Sequence, residues 1–405
     1  MTVLLVARQP ILDKRQNIFA YELLYRDDNK TTSFNQEVSS LRASTGVILE
    51  LFESGAERIT ENKRAFVNFD EELLMSDVFE IVKPDKMVIE VLENVKVDEA
   101  LVQRLFDLKN KGYTIALDDF FHSSEDYELI DLCDIIKYDF LNTDIKQIII
   151  DSNIAIKKGK TILAEKVETK EEFELAKKIG FTLFQGYFFE KPQIASSSND
   201  KVRPIQYTSV ISELNKEEPS FDRLADIIEK DLNLSYRLMR MMSLRNLEIN
   251  RENIKKSLTY MGLKGIERWI NIVLVQTLGK NCPRELVKIS LIRASFAEKI
   301  ALNVPKYDNL RYQASIIGLF STLDAILNMP LDEALKDLKL DDIVKDALLE
   351  NDGILAPIKE LYLSYERGDF KKVSIIAEAM GLDENLLSKF YIESIEWANR
   401  MMQIV

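Results

Sequence analysis

Seven short apolar runs in the first half of the chain each end on a residue that can bind a metal or move a proton. Phe19-Ala20-Tyr21 leads into Glu22, Phe66-Val67 into Asn68, Met87-Val88-Ile89 into Glu90, and Ile115-Ala116-Leu117 into Asp118 and Asp119. Ile135-Ile136 leads into Lys137, Ile162-Leu163-Ala164 into Glu165, and Thr182-Leu183-Phe184 into Gln185. A short apolar run bounded by turn signals predicts a buried strand. A polar group at its end then lies on a rim, so seven such ends predict one site built from many strands.

Strands are expected near residues 3–7, 18–24, 65–69, 87–92, 114–119, 135–138, 161–165 and 182–188. Helical stretches fall between them at about 35–56, 71–82, 98–111, 125–132, 141–158 and 170–179. Lys111-Gly112, Lys158-Gly159 and Ile179-Gly180 supply helix stop signals. This alternation predicts an α/β, TIM-like (β/α) barrel over residues 1–192. Only Leu12 to Asn17 separate the first two strands, too few for a crossover helix, so they form a hairpin and one strand runs antiparallel to the rest. Residues 193–206 read as a linker, with three serines, Asn199-Asp200 and Pro204 breaking any periodicity. From 207 to 405 apolar residues recur at helical spacing, as in Ile227, Leu234, Leu238, Met241 and Met242, and an all-α domain is expected.

Charge and histidine usage narrow the chemistry. Residues 1–200 hold 25 Lys and Arg against 37 Asp and Glu, whereas residues 201–405 hold 29 against 30. An acidic first half argues against bulk nucleic-acid binding. A phosphate substrate there would need cations to invert the local field. The chain has one histidine, His122, which rules out multi-histidine metal sites. His122 itself reads as a loop residue. Any metal must therefore be held mainly by oxygen, favouring magnesium, manganese or calcium. Two distant cysteines, no apolar stretch of bilayer length and no secretory leader pattern point to the cytoplasm and away from the membrane.

At the C-terminal mouth of a barrel the strand-end side chains converge. So many carboxylates cannot all ionise together without counter-charge. Two divalent cations about 3.5–4 Å apart would supply it and activate water against a phosphodiester. Lys137 could orient or deprotonate that water, or simply neutralise its acidic neighbours. The plainer alternative is that individual members are rim charges in ordinary salt bridges.

Gln9-Pro10-Ile11 followed by Tyr21-Glu22-Leu23-Leu24-Tyr25-Arg26 resembles the signature of EAL domains, the cyclic di-GMP phosphodiesterases. Val67-Asn68, Ile89-Glu90-Val91-Leu92-Glu93, Leu117-Asp118-Asp119-Phe120, Ile136-Lys137-Tyr138-Asp139, Ala164-Glu165-Lys166-Val167-Glu168-Thr169 and Gln185-Gly186-Tyr187 follow in that family's order. The resemblance implies Mg²⁺ or Mn²⁺, with Glu22, Asn68, Glu90 and Asp118 on one metal and Asp118 and Asp119 on a second. It implies that Lys137 positions the attacking water, that Glu165 and Gln185 complete the shell, and that Arg26 and Gln9 hold substrate. Glu93 and Glu168 resemble residues that brace the site's loops. Three departures stand out. Leu23 replaces an alanine and is expected to be bulkier beside the metal. Phe121-His122-Ser123 replaces a small, glycine-rich loop associated with substrate closure and dimer coupling. Lys166 replaces a glycine, and either intrudes on the substrate space or points to solvent.

The second half resembles the HDOD domain, an all-helical relative of HD phosphohydrolases without their metal site. The resemblance rests on Ile228 to Arg240 and on Ile254 to Ile266, with Gly318-Leu319-Phe320-Ser321-Thr322 where an HD enzyme would place its His-Asp pair. Residues 201–405 contain no histidine, so an HD-type metal centre is excluded there. The tandem implies a bacterial signalling protein that hydrolyses cyclic di-GMP and whose helical domain engages a signalling partner; a homodimer is compatible with it. The competing reading is a degenerate barrel that binds the dinucleotide, or only a protein, without turnover.

Overall fold

The computed structural model describes residues 5–26, 56–80, 82–118, 120, 128–191, 205–243, 254–336, 338 and 340–403. Eight strands form a closed barrel in sequence order: β1 (Leu5–Asp13), β2 (Ile18–Arg26), β3 (Arg64–Phe69), β4 (Met87–Val91), β5 (Thr114–Leu117), β6 (Ile135–Asp139), β7 (Thr161–Glu165) and β8 (Leu183–Phe184). β1 is antiparallel to both neighbours, and every other pairing is parallel. The hairpin turn is shorter than the sequence suggests. Asp13 Oδ1 accepts from the backbone amides of Arg15 and Asn17, so the turn closes over 14–17 and both strands lengthen.

The outer layer follows the expected helices with local differences. Helices run over Glu99–Asn110, Ile145–Lys157 and Lys170–Ile179. Each starts on a side-chain cap, from Asp98, Asp144 and Thr169, and Thr169 with Glu172 completes a capping box. The stretch expected as one helix over 71–82 is a turn of helix at Glu71–Leu74 and a 3₁₀ turn at Asp77–Glu80. Ser76 explains the break, since its hydroxyl donates to the Leu73 carbonyl and offers the backbone an alternative to the helix. Within 125–132, the described part is a 3₁₀ turn at Glu128–Asp131. The expected helix over 35–56 lies, but for Ala56, outside the described residues.

Inside the barrel, Ile11, Ala20, Phe66, Val88, Ala116, Ile135, Leu163 and Leu183 form one buried layer, a residue from each strand. This apolar plug is the floor on which the site stands.

Two compact units divide the chain. One joins Met1–Lys191 to Leu363–Glu378 and Asp383–Ile392; the other holds Pro192–Tyr362, Ala379–Leu382 and Glu393–Val405. In the first unit, the buried Tyr365 hydroxyl donates to the Val6 carbonyl of β1 at 3.0 Å and contacts Ser388 Oγ at 3.1 Å. Parts of the last helices therefore cover the barrel's first strand.

Among the described residues of the second unit, the regular elements are all helices. Ile254–Leu278 is interrupted at Gly262, where φ is +69°. Arg284–Leu302 packs on Arg311–Phe320 closely enough that a Cβ on Gly318 would lie 2.4 Å from the Arg293 backbone. At the position of an HD pair, Thr322 hydrogen-bonds Ser290, and Arg293 donates to Ser321 Oγ. Hydroxyls tied into the helix packing occupy it.

Candidate active site

The site follows from the strand period. Two residues further along a strand, the side chain again points inward. From the apolar floor, that step toward the C-terminal mouth reaches Glu22, Asn68, Glu90, Asp118, Lys137, Glu165 and Gln185. β1 runs the other way, so the matching step back from Ile11 reaches Gln9, which is in register with Glu22. Eight strands thus place eight polar residues in one layer above the plug. Asp118 and Gln185 sit one residue past their strands.

Lys137 is the centre of this layer. It is 1 % exposed, and its Nζ lies 2.6 Å from Glu90 Oε1, 2.7 Å from Asp118 Oδ1, 2.7 Å from Glu165 Oε1 and 3.7 Å from Glu22 Oε2. Glu22 is held from two further sides, by Asn68 Nδ2 at 3.2 Å and Gln185 Nε2 at 2.6 Å. Gln185 Nε2 also donates to Gln9 Oε1 at 2.9 Å, and Gln9 Nε2 to the Tyr187 hydroxyl at 3.4 Å.

Four carboxylates around one ammonium leave excess negative charge in a water-poor space. Burial pushes Glu90 well above the usual carboxylate range; Lys137 opposes the shift, and Glu22 and Asp118 add to it. Burial likewise pushes Glu165 up to about 8 against the pull of Lys137. Burial alone would depress Lys137, but the acids, Glu165 foremost, hold it well above its ordinary value.

Several oxygens in the layer have no hydrogen-bond partner among the described residues: Asn68 Oδ1, both Glu90 oxygens, Glu165 Oε2 and Gln185 Oε1. Glu90 Oε1 nevertheless makes a close ionic contact with Lys137 Nζ at 2.6 Å, so the oxygens left without any partner among the described residues are Asn68 Oδ1, Glu90 Oε2, Glu165 Oε2 and Gln185 Oε1. Buried, unpaired, all-oxygen donors suit a hard divalent cation. The arrangement differs from a metal-ready one, however. Among the described residues no three His, Cys, Asp or Glu side chains are arranged to hold a metal ion, because the acids close on the ammonium.

Some residues singled out in the sequence stand apart from this layer. Glu93 is exposed in the turn after β4, and Glu168 pairs with Lys191 at 2.9 Å on the surface. Asp119, the Phe121-His122-Ser123 loop and the side chain of Arg26 lie outside the described residues. Leu23 does not crowd the layer. Strand alternation turns it away from Glu22, and it is fully buried on the barrel's outer face. Lys166 takes a left-handed backbone (φ +53°), and its Nζ pairs with Asp139 Oδ2 at 2.7 Å instead of entering the layer or standing free in solvent. Asp139 also accepts from the amides of Leu141 and Asn142 and from Asn142 Nδ2. Its part in locking this loop was legible only as a buried acid at a strand end.

Comparison with known proteins finds two domain models in tandem. The EAL domain model matches residues 4–192, and the HDOD domain model matches residues 203–337. The uncharacterized protein YuxH of Bacillus subtilis (strain 168) is 34% identical over 408 residues, spanning 98% of this chain and 98% of its own. Cyclic di-GMP phosphodiesterase CdgJ of Vibrio cholerae serotype O1 is 29% identical over 405 residues, spanning 99% of this chain and 93% of its own. A solved EAL domain protein from Listeria monocytogenes EGD-e covers 46% of this chain and 87% of that one, at 23% identity and a TM-score of 0.36. With both domain matches in tandem and a relative aligned over nearly its whole length, the chain belongs to the family of EAL–HDOD tandem proteins.

Proposed function

We propose that the barrel hydrolyses cyclic di-GMP to the linear dinucleotide with Mg²⁺ or Mn²⁺, and that the helical region from 207 onward engages a signalling partner. The observation that supports it best is the inward layer of Gln9, Glu22, Asn68, Glu90, Asp118, Lys137, Glu165 and Gln185, rich in unpaired buried oxygen. Family membership and the likeness to CdgJ support the substrate.

Glu22, Asn68, Glu90 and Asp118 would hold the cation, with Asp119 serving a second. When bound, a divalent cation neutralises the acids, polarises a phosphoryl oxygen and makes water a better nucleophile. The chain's own residues do the rest. Lys137 Nζ donates hydrogen bonds that orient the water toward phosphorus. Glu165 Oε2, which has no hydrogen-bond partner among the described residues, would take the water's proton as the water oxygen bonds to phosphorus and one P–O ester bond breaks, the proton passing to the departing alkoxide. Gln185 fixes Glu22 through Nε2, and Gln9 fixes Gln185. Gln9 and Arg26 hold the dinucleotide, Arg26 through its planar fork of donors.

One observation favours a second reading. The acids already have a counter-ion in Lys137, so a barrel that binds the dinucleotide without cutting it is also consistent with the layer. The two separate in one assay. The full chain is incubated with cyclic di-GMP and Mg²⁺ or Mn²⁺, and products are resolved by chromatography. Linear dinucleotide, lost in Glu22→Gln and Asp118→Asn, supports hydrolysis. Saturable binding without product supports the second reading, and neither product nor binding overturns both.

A further inference from the structure

A cavity of about 290 Å³ opens beside the polar layer, over the C-terminal ends of β2, β3 and β4. Leu24, Asn68 and the carboxylate of Asp70 line it from the barrel, and Arg367, Gly368 and Phe370 line it from the turn that joins helices Ala356–Glu366 and Phe370–Met380. All of these residues belong to the same compact unit, while 367–370 lie outside both domain matches.

The turn is held on both sides. Upstream, Tyr365 is anchored on the Val6 carbonyl. Downstream, Phe370 is buried edge-on against Tyr365, with ring centroids 5.7 Å apart. Between them Gly368 has φ +70°, and a Cβ there would lie 2.8 Å from Leu24 Cδ1. Only glycine both adopts this backbone and lets the turn sit against β2. The seating carries Arg367 to the mouth, its guanidinium 5.7 Å from the Tyr187 ring centroid. Tyr187 in turn reaches the polar layer through Gln9. Arg367 is exposed, and no carboxylate of the described residues lies within salt-bridge distance of it. The layer below is acidic, so an anion arriving there benefits from a cation on the wall. A guanidinium near a tyrosine face keeps its planar fork of donors available for phosphate oxygens.

We propose that Arg367, carried by the C-terminal turn, is a substrate-binding residue of the barrel that contacts a phosphate of the bound cyclic dinucleotide. This rests on the reading of the barrel as a cyclic di-GMP site. A charge-assisted contact at an exposed rim is expected to contribute about tenfold in affinity, which is about 1.4 kcal/mol.

The test uses the full chain with cyclic di-GMP and Mg²⁺, reading KM, or Kd should wild type bind without turnover. Arg367→Ala is expected to raise that constant about tenfold, with kcat falling less than KM rises and the melting temperature within about 2 °C of wild type, as for an exposed turn residue. Arg367→Lys should recover part of the loss and Arg367→Gln none. The wild-type constant should also rise more steeply with KCl than that of Arg367→Ala. Constants within twofold of wild type for all three variants overturn the role of Arg367 while leaving the barrel's function standing. A wild type that neither binds nor cuts the dinucleotide overturns the functional reading, and this inference with it.

Discussion

Replacing Lys137 by methionine tests the electrostatics of the barrel layer apart from its chemistry. Methionine keeps the unbranched length of lysine and removes the charge. Three carboxylate oxygens now within 2.7 Å of Nζ then face one another without a cation. Removing one partner of a buried ion cluster costs about 3–5 kcal/mol. For a unit of this size each kcal/mol lowers the melting temperature by about 2–4 °C, so a fall of about 6–20 °C is expected in chelator at pH 8. The loss should depend on pH. Glu165 titrates near 8 folded against an ordinary 4.5, so its neutral form stabilises the fold fully below 4.5, and that stability is lost as pH rises through about 8. Glu90 is shifted in the same direction. Without the ammonium both rise further, and protonation at pH 5 should make the deficit smaller than at pH 8. The assay is differential scanning calorimetry of both proteins from pH 5 to 8 in EDTA, repeated with Mn²⁺. A variant melting within about 2 °C of wild type at pH 8 in EDTA would refute the view that Lys137 is the counter-ion of the layer.

Other sites test the frame around it. Gly186 has φ +142°, and a Cβ there would lie 2.1 Å from the Val167 carbonyl oxygen, so Gly186→Ala should destabilise by about 3 kcal/mol or more, read by chemical denaturation. Tyr365→Phe removes the bond to the buried Val6 carbonyl and should cost about 1–3 kcal/mol, read the same way. Lys166→Gly relieves a left-handed lysine while losing a half-exposed ion pair to Asp139; the two oppose, and the denaturation midpoint should correspond to a change within about 1 kcal/mol.

The barrel was legible because seven of its eight strands run into a polar residue. Glu22, Glu90 and Glu165 end apolar runs that could lie only in a barrel wall, and a period of two then predicts which side chains share a layer. The ends of β1 were harder to read. Arg8, Gln9 and Pro10 interrupt its hydrophobicity, yet β1 runs to Asp13 because it pairs with β2 along its length and with β8 at Leu12 and Asp13. β8 is shorter than the 182–188 that its apolar run predicts, since Gly186 turns the chain out of the sheet after Gln185. The closure of four acids on Lys137 depends on distances that no spacing encodes. Arg367 and Tyr365 carried no signal at all: their neighbours on the barrel are far away in the chain, and an Arg-Gly turn between helices looks like any other.

The bond from Tyr365 to Val6 also bears on the order of synthesis. A ribosome finishes β8 at Phe184 and must add roughly 180 more residues before Tyr365 emerges, about 10–40 s at bacterial and eukaryotic elongation rates. Throughout that interval the outer face of the first strand lacks its final cover. The nascent barrel must therefore wait with part of that outer face exposed, and chaperone dependence should be greatest for chains that have passed β8 but not yet delivered their last helices.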